Sequence, residues 1–120
     1  MNNEYKKQHT FEERMLESEK LRARWPNRIP AICERDRKSD IPLLEKHKFL
    51  IPDHITVGQF LYILRKRIQL PPKTAMFIFV NGSVPPTGML LSVLYESKKD
   101  RDGFLYVTYS GENTFGCPVI

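Results

Sequence analysis

The last seven residues of the chain, TFGCPVI, contain the groups whose types and spacing most directly suggest chemistry. Cys117 is the fourth residue from the end, which is where a terminal prenylation box carries its acceptor cysteine. Gly116 ends a polar run, and the four residues after it form an extension that a protease could remove. These two interpretations place a lipid on different atoms of the chain.

The composition of the tail favours removal of this extension over prenylation. Pro118 is unusual at the first aliphatic position of such a box, and Ile120 is not among its usual terminal residues. A single lipid chain holds a protein to a membrane only marginally, and no lysine or arginine follows Gly103 to strengthen the attachment. Prenylation of Cys117 is the less favoured interpretation, although the chemistry of the tail alone leaves it open.

Length and cysteine usage define the class of protein. A chain of 120 residues predicts one domain, and folding at this size buries about two-thirds of the surface that the unfolded chain exposes. Cys33 and Cys117 have no metal-binding or redox spacing, which favours a reducing, cytosolic setting and a core position for Cys33. The apolar run from Met76 to Val80 is far shorter than the ~20 residues of a membrane span, and the N-terminus lacks the apolar region of a signal peptide. We therefore expect a cytoplasmic protein whose membrane attachment is added chemically or supplied by a partner.

The sequence predicts a protein that is not an enzyme, because no convergent set of acid, base and nucleophile can be named. The three histidines fall in different predicted elements, and no serine or cysteine lies in an activating motif. Asp100, Asp102 and Gly103 resemble part of a calcium loop, but the other ligand positions and the terminal glutamate are missing. We therefore expect neither a metal nor a cofactor.

The net charge of +5 arises mainly in the middle of the chain. A basic patch of this kind suits nucleic acid, an anionic membrane or an acidic peptide, and a solvated face is the simpler alternative. The aromatic residues alternate with aliphatic ones as in core strands, and no RRM-like or KH-like signature interrupts them, so we expect no nucleic-acid partner. The basic residues concerned are Arg35, Arg37, Lys38, Lys46, Lys48, Arg65, Lys66 and Arg67.

A first helix is predicted near the N-terminus. Thr10 and Glu13 have the spacing of a capping box, in which each side chain bonds the other residue's backbone N–H. The helix should cover residues 11–24, and the helical spacing of Phe11 and Met15 predicts that both face the core.

Two further helices are predicted in the second half of the chain. Thr56 and Gln59 form another capping box, which opens an amphipathic helix that ends before Pro71. Thr87 is expected to cap a short helix that reaches Tyr95.

Four segments have the composition and alternation of strands. Proline occurs in the first two, which predicts that neither is a fully paired central strand and that at least one presents a free edge. Asn81 and Gly82 predict a tight turn after the third. The order of elements predicts an α+β fold, with a mostly antiparallel sheet crossed by one long helix and the element order of a ubiquitin-like β-grasp from residue 28 onward. The strand segments are RIPAICE, KFLIP, MFIFV and FLYVTYS.

A free strand edge favours peptide binding, because its unpaired N–H and C=O groups can accept an extended chain. Alternation places Ile29, Ala31 and Cys33 on one face of the first strand, and Pro30 and Ile32 on the other. Apolar side chains that project away from the core predict a pocket beside the edge, and its basic neighbours suit an acidic ligand.

Long strings of the sequence closely resemble the autophagy-related ubiquitin-like modifiers, the family that includes GABA-receptor-associated protein and microtubule-associated light chain 3. The resemblance runs from Phe11 to Gly116 and implies a ubiquitin-like β-grasp with two additional N-terminal helices. The expected organisation is an N-terminal helical extension over 1–27, a β-grasp core over 28–110 and a flexible C-terminal tail over 111–120. The strings are RWPNRIPAICE, KSDIP, KFLIPDHITVGQFLYILRKRI, FIFVN, PPT and KDRDGFLYVTYSGENTFG.

The resemblance also implies a chemistry for the tail, in which the protein is the substrate of catalysis. A cysteine protease is expected to expose Gly116, and E1-like and E2-like conjugation enzymes then join its carboxyl group to phosphatidylethanolamine. The protein would thus be cytoplasmic and become membrane-anchored on autophagosomes. A soluble adaptor for vesicle or microtubule-linked trafficking, independent of conjugation, is the alternative.

The family binds cargo receptors that carry aromatic-x-x-aliphatic motifs, by strand addition at the second strand, and the resemblance carries two pockets over to this chain. A possible second docking surface is Phe77 and Phe79. The implied aromatic pocket is Glu17, Leu21, Pro30, Ile32, Lys48, Leu50 and Phe104. The implied aliphatic pocket is Phe49, Ile51, Pro52, Ile55, Phe60 and Ile63, with Arg28 and Arg67 as electrostatic neighbours.

Overall fold

Four helices and one four-stranded sheet make up the computed structural model, which describes residues 3–111. The predictions on Gly116 and Cys117 lie outside the described residues. The second capping box and the first are both formed, at Thr56 and Thr10, as the sequence predicted. In chain order the elements are α1 (Glu4–Gln8), α2 (Phe11–Arg24), β1 (Arg28–Arg35), β2 (Lys48–Pro52), α3 (Val57–Arg67), β3 (Phe77–Phe79), α4 (Leu91–Lys98) and β4 (Leu105–Ser110).

The strands lie in the order β2-β1-β4-β3. β1 runs antiparallel to β2 and parallel to β4, while β3 runs antiparallel to β4. Because β1 and β4 are parallel, the chain that connects them must cross one face of the sheet. The helix α3 belongs to this connection and packs on that face. The predicted α+β fold class is confirmed.

The prolines of the first two strands have different consequences. β2 is an edge strand of the sheet, and β1 is central but not fully paired, as their prolines predicted. Pro30 pairs with Leu50 of β2, whereas the parallel ladder with β4 begins at Ala31. A central strand tolerates this proline because the residue lies just outside the ladder in which its N–H would have been needed.

Both faces of the sheet are covered. On one face the side chains of α3 pack against Ile29, Ala31 and Cys33 of β1 and against the alternate residues of β4. On the other face Ile32 clusters with Tyr5 of α1, next to the end of α2. The predicted alternation of β1 is therefore correct, but the face expected to be open is covered by the N-terminal helices.

The last helix begins later than predicted. α4 starts at Leu91, and Thr87 is not its cap. The Thr87 carbonyl instead accepts a hydrogen bond from the N–H of Gly58 at 2.9 Å, and the Met89 carbonyl accepts one from Val57 at 2.9 Å. The start of α3 has backbone N–H groups without intrahelical partners, and the segment expected to be helical satisfies them.

The most buried residue of α2 is polar rather than apolar. Phe11 and Met15, which were expected to face the core, are only partly buried, and the buried residue of the helix is Ser18. The Ser18 hydroxyl donates to the backbone carbonyl of Asp102. α2 therefore packs on the turn that precedes β4.

Asp102 is the centre of this turn and is fully buried. Its carboxylate accepts hydrogen bonds from the Arg14 guanidinium at 2.7 Å, the Tyr106 hydroxyl at 2.5 Å and the Phe104 N–H at 2.8 Å. A buried charge is tolerated only when it is paired and hydrogen-bonded, and here α2, β4 and the residue before β4 supply the donors. The carboxylate of Asp102 thus fastens α2 to the sheet.

Gly103 allows α2 to approach this closely. Its φ of +94° lies in the region that favours glycine, and a Cβ on this residue would lie 2.4 Å from the Ser18 hydroxyl oxygen. The Gly103 carbonyl also accepts a hydrogen bond from Tyr95 of α4 at 2.6 Å.

A second aspartate of the turn holds α1. Lys6 donates to the Asp100 carboxylate at 2.7 Å, with both side chains partly exposed. Burial acts to raise the pKa of Asp100, but hydrogen bonds from Lys6 and from the Asp102 backbone outweigh it and hold the pKa below its usual range. The turn thus contacts α1, α2 and α4.

Replacing Asp102 by asparagine should lower the free energy of unfolding by about 3–5 kcal/mol, because Arg14 would keep a largely buried charge without its counterion. Urea denaturation at neutral pH measures this difference, provided that the m-value is unchanged. Asp40→Asn is the matched control, since Asp40 is exposed and should tolerate the same change. Equal stability of the two variants would show that the Asp102 pair does not fasten α2.

Candidate functional site

β2 is the first strand of the sheet and has β1 on one side only, so its other side is an open edge. Within residues 3–111 no strand pairs with this edge, so its backbone groups lack strand partners, although the Leu50 carbonyl accepts a hydrogen bond from Arg28. Side chains from the two implied pockets alternate along β2: Lys48 and Leu50 on one face, Phe49 and Ile51 on the other. The edge is therefore flanked on each face of the sheet by residues of one implied pocket.

The structure brings the implied aromatic pocket together on the face that α1 and α2 cover. Pairing places Pro30 beside Leu50 and Ile32 beside Lys48. Lys48 approaches Glu17 of α2, with its ammonium nitrogen 3.8 Å from the carboxylate. The seven residues implied by the resemblance come from α2, β1, β2 and the residue before β4.

The members of this pocket differ in their accessibility. Ile32 and Phe104 are fully buried, each with an exposed fraction of 0%. Leu21 and Leu50 are partly buried, and Lys48 is exposed. The accessible part of the pocket is thus its rim, and its floor is covered.

Tyr5 packs against two residues of the implied aromatic pocket, a contact that the sequence did not predict. Its ring lies edge-on to Phe104 at a centroid distance of 5.4 Å, and it clusters with Ile32. The Lys48 ammonium nitrogen lies 5.6 Å from the centre of the same ring. Only 5% of Tyr5 is exposed. The segment before residue 10 has no strong amphipathic pattern that could have predicted this contact.

The backbone of Tyr5 is held by a carboxylate of β1. Its N–H donates to Glu34 at 3.1 Å. Burial raises the pKa of Glu34 above its usual range, although the hydrogen bond from Tyr5 and the charge of His47 act in the opposite direction. His9 completes the surroundings, with its ring centroid 4.4 Å from that of Tyr5.

The implied aliphatic pocket lies on the opposite face, between β2 and α3. Phe49 meets Phe60 edge-on at 6.1 Å, and the Arg67 guanidinium carbon lies 5.8 Å from the centre of the Phe49 ring. Ile51 and Phe60 are core residues with almost no exposed surface. The partly exposed members that form the accessible wall are Phe49, Pro52, Ile55 and Ile63.

Arg28 lies beside the edge strand β2, whereas the phenylalanines of β3 lie at the opposite edge of the sheet. Arg28 is exposed, and its guanidinium donates to the Leu50 carbonyl at 3.3 Å, which places it against the edge strand. β3 lies at the other end of the sheet from β2. Phe77 is partly exposed there and Phe79 is buried, so only Phe77 offers appreciable surface.

Few groups of the described chain have properties that suggest reaction chemistry. Cys33 is buried in the core, and burial raises the pKa of its thiol far above the ordinary range. Between Asn3 and Gly111 no three or more His, Cys, Asp and Glu side chains are grouped so that they could hold a metal ion. No helix in this range has the length and apolar character needed to cross a membrane.

Comparisons with known proteins give consistent results over nearly the whole chain. A family model described as "Autophagy protein Atg8 ubiquitin like" matches residues 13–116. Autophagy-related protein 8 of Saccharomyces cerevisiae (strain YJM789) is 58% identical over 116 residues, which covers 97% of this chain and 99% of that protein. Autophagy-related protein 8 of Emericella nidulans is 55% identical over 116 residues, covering 97% and 98%.

Solved structures agree with the observed fold. The crystal structure of Trypanosoma brucei ATG8 superposes with a TM-score of 0.89 at 47% identity, covering 97% of this chain and 100% of that one. Plasmodium falciparum Atg8, solved in complex with a Plasmodium falciparum Atg3 peptide, gives a TM-score of 0.84 at 41% identity, covering 92% and 98%. The sheet and the N-terminal helices are those of a ubiquitin-like fold with its helical extension. The chain belongs to the Atg8 family of ubiquitin-like proteins, and its role lies in autophagy.

Proposed function

We propose that this protein is a ubiquitin-like modifier that is cleaved after Gly116 and joined through that residue to phosphatidylethanolamine on autophagosomal membranes. The extent of the family match carries this proposal, because the match ends at Gly116 and leaves CPVI outside it. A glycine at the cut end suits the chemistry, since a residue without Cβ leaves its carbonyl open to a nucleophile. The cytoplasmic form would become membrane-anchored only after the extension is removed.

Lipid energetics support phosphatidylethanolamine as the anchor. Each buried CH₂ group contributes about 0.8 kcal/mol, and one chain gives only marginal, reversible attachment. Phosphatidylethanolamine supplies two chains in one reaction, whereas a prenyl group on Cys117 would supply one. The attachment then needs no basic segment, and the last part of the chain has none.

Conjugation requires partners that process and transfer the glycine. A cysteine protease would remove the extension, and E1-like and E2-like enzymes would carry Gly116 as a thioester before the amide bond forms. An Atg3 peptide bound to the Plasmodium falciparum relative supports a contact between this protein and its own E2-like enzyme.

The conjugated protein would recruit receptors that carry an aromatic-x-x-aliphatic motif. A strand added at β2 sends its side chains alternately to the two faces of the sheet. Residues three apart therefore point to opposite faces, which matches an aromatic pocket beside α2 and an aliphatic pocket beside α3. Lys48 and Arg67 stand at these pockets and favour acidic residues next to the motif.

A soluble adaptor for vesicle or microtubule-linked trafficking is the second candidate function. It is favoured by one observation: every residue of the two implied pockets lies within residues 3–111, so the pockets are complete without the tail. Such an adaptor would use the same motif and would not depend on Gly116.

The variants Gly116→Ala and Cys117→Ser separate these possibilities in starved cells. We expect Gly116→Ala to remain full length and leave the membrane fraction, while Cys117→Ser is cleaved and lipidated like the unmodified protein. Intact-mass analysis of recovered protein measures the loss of residues 117–120 and the gain of a phospholipid. A Gly116→Ala protein with unchanged membrane association would favour the adaptor. A Cys117→Ser protein that alone loses its lipid would favour prenylation.

The variant Leu50→Ala tests the aromatic pocket. Removing most of a partly buried side chain from the pocket wall should weaken binding about tenfold, which corresponds to ~1.4 kcal/mol. Isothermal titration with a synthetic peptide that carries two acidic residues followed by Trp-x-x-Leu measures the affinity. Leu43→Ala is the matched control, since Leu43 is 67% exposed and belongs to neither pocket. Equal affinities for the two variants would remove Leu50 from the site.

A further inference from the structure

We propose that the loop between β1 and β2, residues 36–47, is a clamp on the start of the C-terminal tail, in which Ser39 and Ile41 hold the backbone of Gly111. The clamp gives the tail a fixed origin from which Gly116 is presented to the processing protease. This inference rests on the proposed cleavage after Gly116. It makes Ser39 a positioning residue for that reaction, although Ser39 lies far from Gly116 in the sequence.

The tail leaves the sheet at the end of β4. Ser110 is the last residue of this strand and pairs with Phe77 of β3, while the parallel ladder with β1 ends one residue earlier, at Tyr109. Gly111 is the first residue after the strand. Residues near a chain terminus are poorly ordered unless other contacts hold them. Gly111 therefore needs a partner outside the strand ladders if the tail is to leave the sheet in one direction.

The Ser39 hydroxyl is this partner. It accepts a hydrogen bond from the Gly111 N–H at 3.0 Å and a longer one from the Ile41 N–H at 3.4 Å. Ser39 has an exposed fraction of 4%, so water has little access with which to replace the bond to Gly111. One buried oxygen thus joins the loop to the first residue of the tail.

Ile41 holds the same residue by close packing. A Cβ on Gly111 would overlap the Cγ2 methyl of Ile41, so the approach requires glycine. The methyl group belongs to a β-branched side chain with a stiff χ1, and Ile41 is buried in the main core cluster. The methyl therefore cannot easily turn away. Gly111 is explained by this contact rather than by a need for a flexible linker.

The loop is itself attached to the two central strands. The Arg35 guanidinium donates to the Ile41 carbonyl at 2.6 Å, and the Leu44 N–H donates to the Tyr109 hydroxyl at 2.8 Å. The Asp36 N–H donates to the Tyr109 carbonyl at 2.8 Å. Because these bonds connect the loop to β1 and β4, the clamp keeps its position relative to the sheet.

The tail is short enough for its origin to matter. Five residue steps separate Gly111 from Gly116, and a chain of this length spans at most about 17 Å when fully extended. A protease that binds the tail must order each free residue, and every such residue lowers the binding constant by about fivefold or more. With Gly111 already ordered, the protease has one residue fewer to fix. Loosening the clamp should therefore raise KM and leave kcat unchanged, because the bound tail is held by the protease itself.

Cleavage kinetics of full-chain variants with the purified cysteine protease that removes CPVI test this inference. Ser39→Ala should raise KM about fivefold with kcat unchanged, and Gly111→Ala should change KM in the same direction. The matched controls are Ser83→Ala and Gly88→Ala, which should leave KM unchanged. Ser83 is exposed and follows the end of β3 that lies away from Ser110, and a Cβ on Gly88 would meet nothing within 4 Å.

Thermal unfolding of each variant shows that the sheet is folded at the assay temperature. An unchanged KM for folded Ser39→Ala would overturn the inference. A lower kcat at unchanged KM would also overturn it, because the clamp acts before the tail is bound.

Hydrogen exchange tests the clamp without the protease. The Gly111 amide should exchange about tenfold or more slowly than the amide of a free peptide, because Ser39 accepts its hydrogen bond. Ser39→Ala should remove this protection, while the paired amides of β1 and β4 keep theirs. Exchange of Gly111 at the free-peptide rate in the unmodified protein would overturn the inference.

The outcomes separate this inference from the proposed function. If the unmodified protein is cleaved after Gly116 while Ser39→Ala keeps its KM, only the clamp is overturned. If the unmodified protein is not cleaved after Gly116, the proposed processing is overturned together with this inference.

Discussion

The buried carboxylate of Asp102 is the constraint on which the arrangement of this protein depends. A charge with no exposed surface needs a counterion, and α2 supplies it through Arg14. Arg14, Ser18 and Leu21 lie on one face of α2 at i, i+4 and i+7, so fixing the first two on the turn also fixes the third. Leu21 then lies against the cluster of Ile32 and Phe104. One polar contact thus determines which part of α2 reaches the pocket.

The order of the strands completes the site. Because β1 is central and β2 is the edge strand, the pocket side chains of β1 are covered by helices, while those of β2 remain partly accessible. Pro30 is compatible with this order only because the ladder with β4 begins at the following residue. The proline of β2, Pro52, lies at the end of the edge strand, where a missing donor costs little.

Local signals in the sequence predicted much of this fold, and non-local contacts account for what they missed. Both capping boxes, the alternation of β1 and the Asn81–Gly82 turn depend on residues close in sequence, and all were predicted correctly. The start of α4 was missed because the Thr87 carbonyl bonds to the N-terminus of a helix nearly thirty residues earlier in the chain.

The candidate site shows the same division. The residues of both pockets followed from a resemblance, and the free edge of β2 followed from its proline. The polar contacts of α2 could not be deduced, because the partner that makes them favourable, Asp102, is remote in sequence. Tyr5 was missed for the same reason, since a helix of five residues carries no periodicity and its position depends on Glu34 and Phe104.

The turn before β4 combines a buried attachment with a more exposed one. Asp102 accepts the N–H of Phe104, so the buried ion pair also fixes the residue that forms the pocket floor. Asp100, two residues earlier, holds Lys6 at a more exposed position, where solvent weakens the attraction. α2 and Phe104 therefore depend on Asp102, whereas α1 is held by Asp100 together with Glu34 of β1.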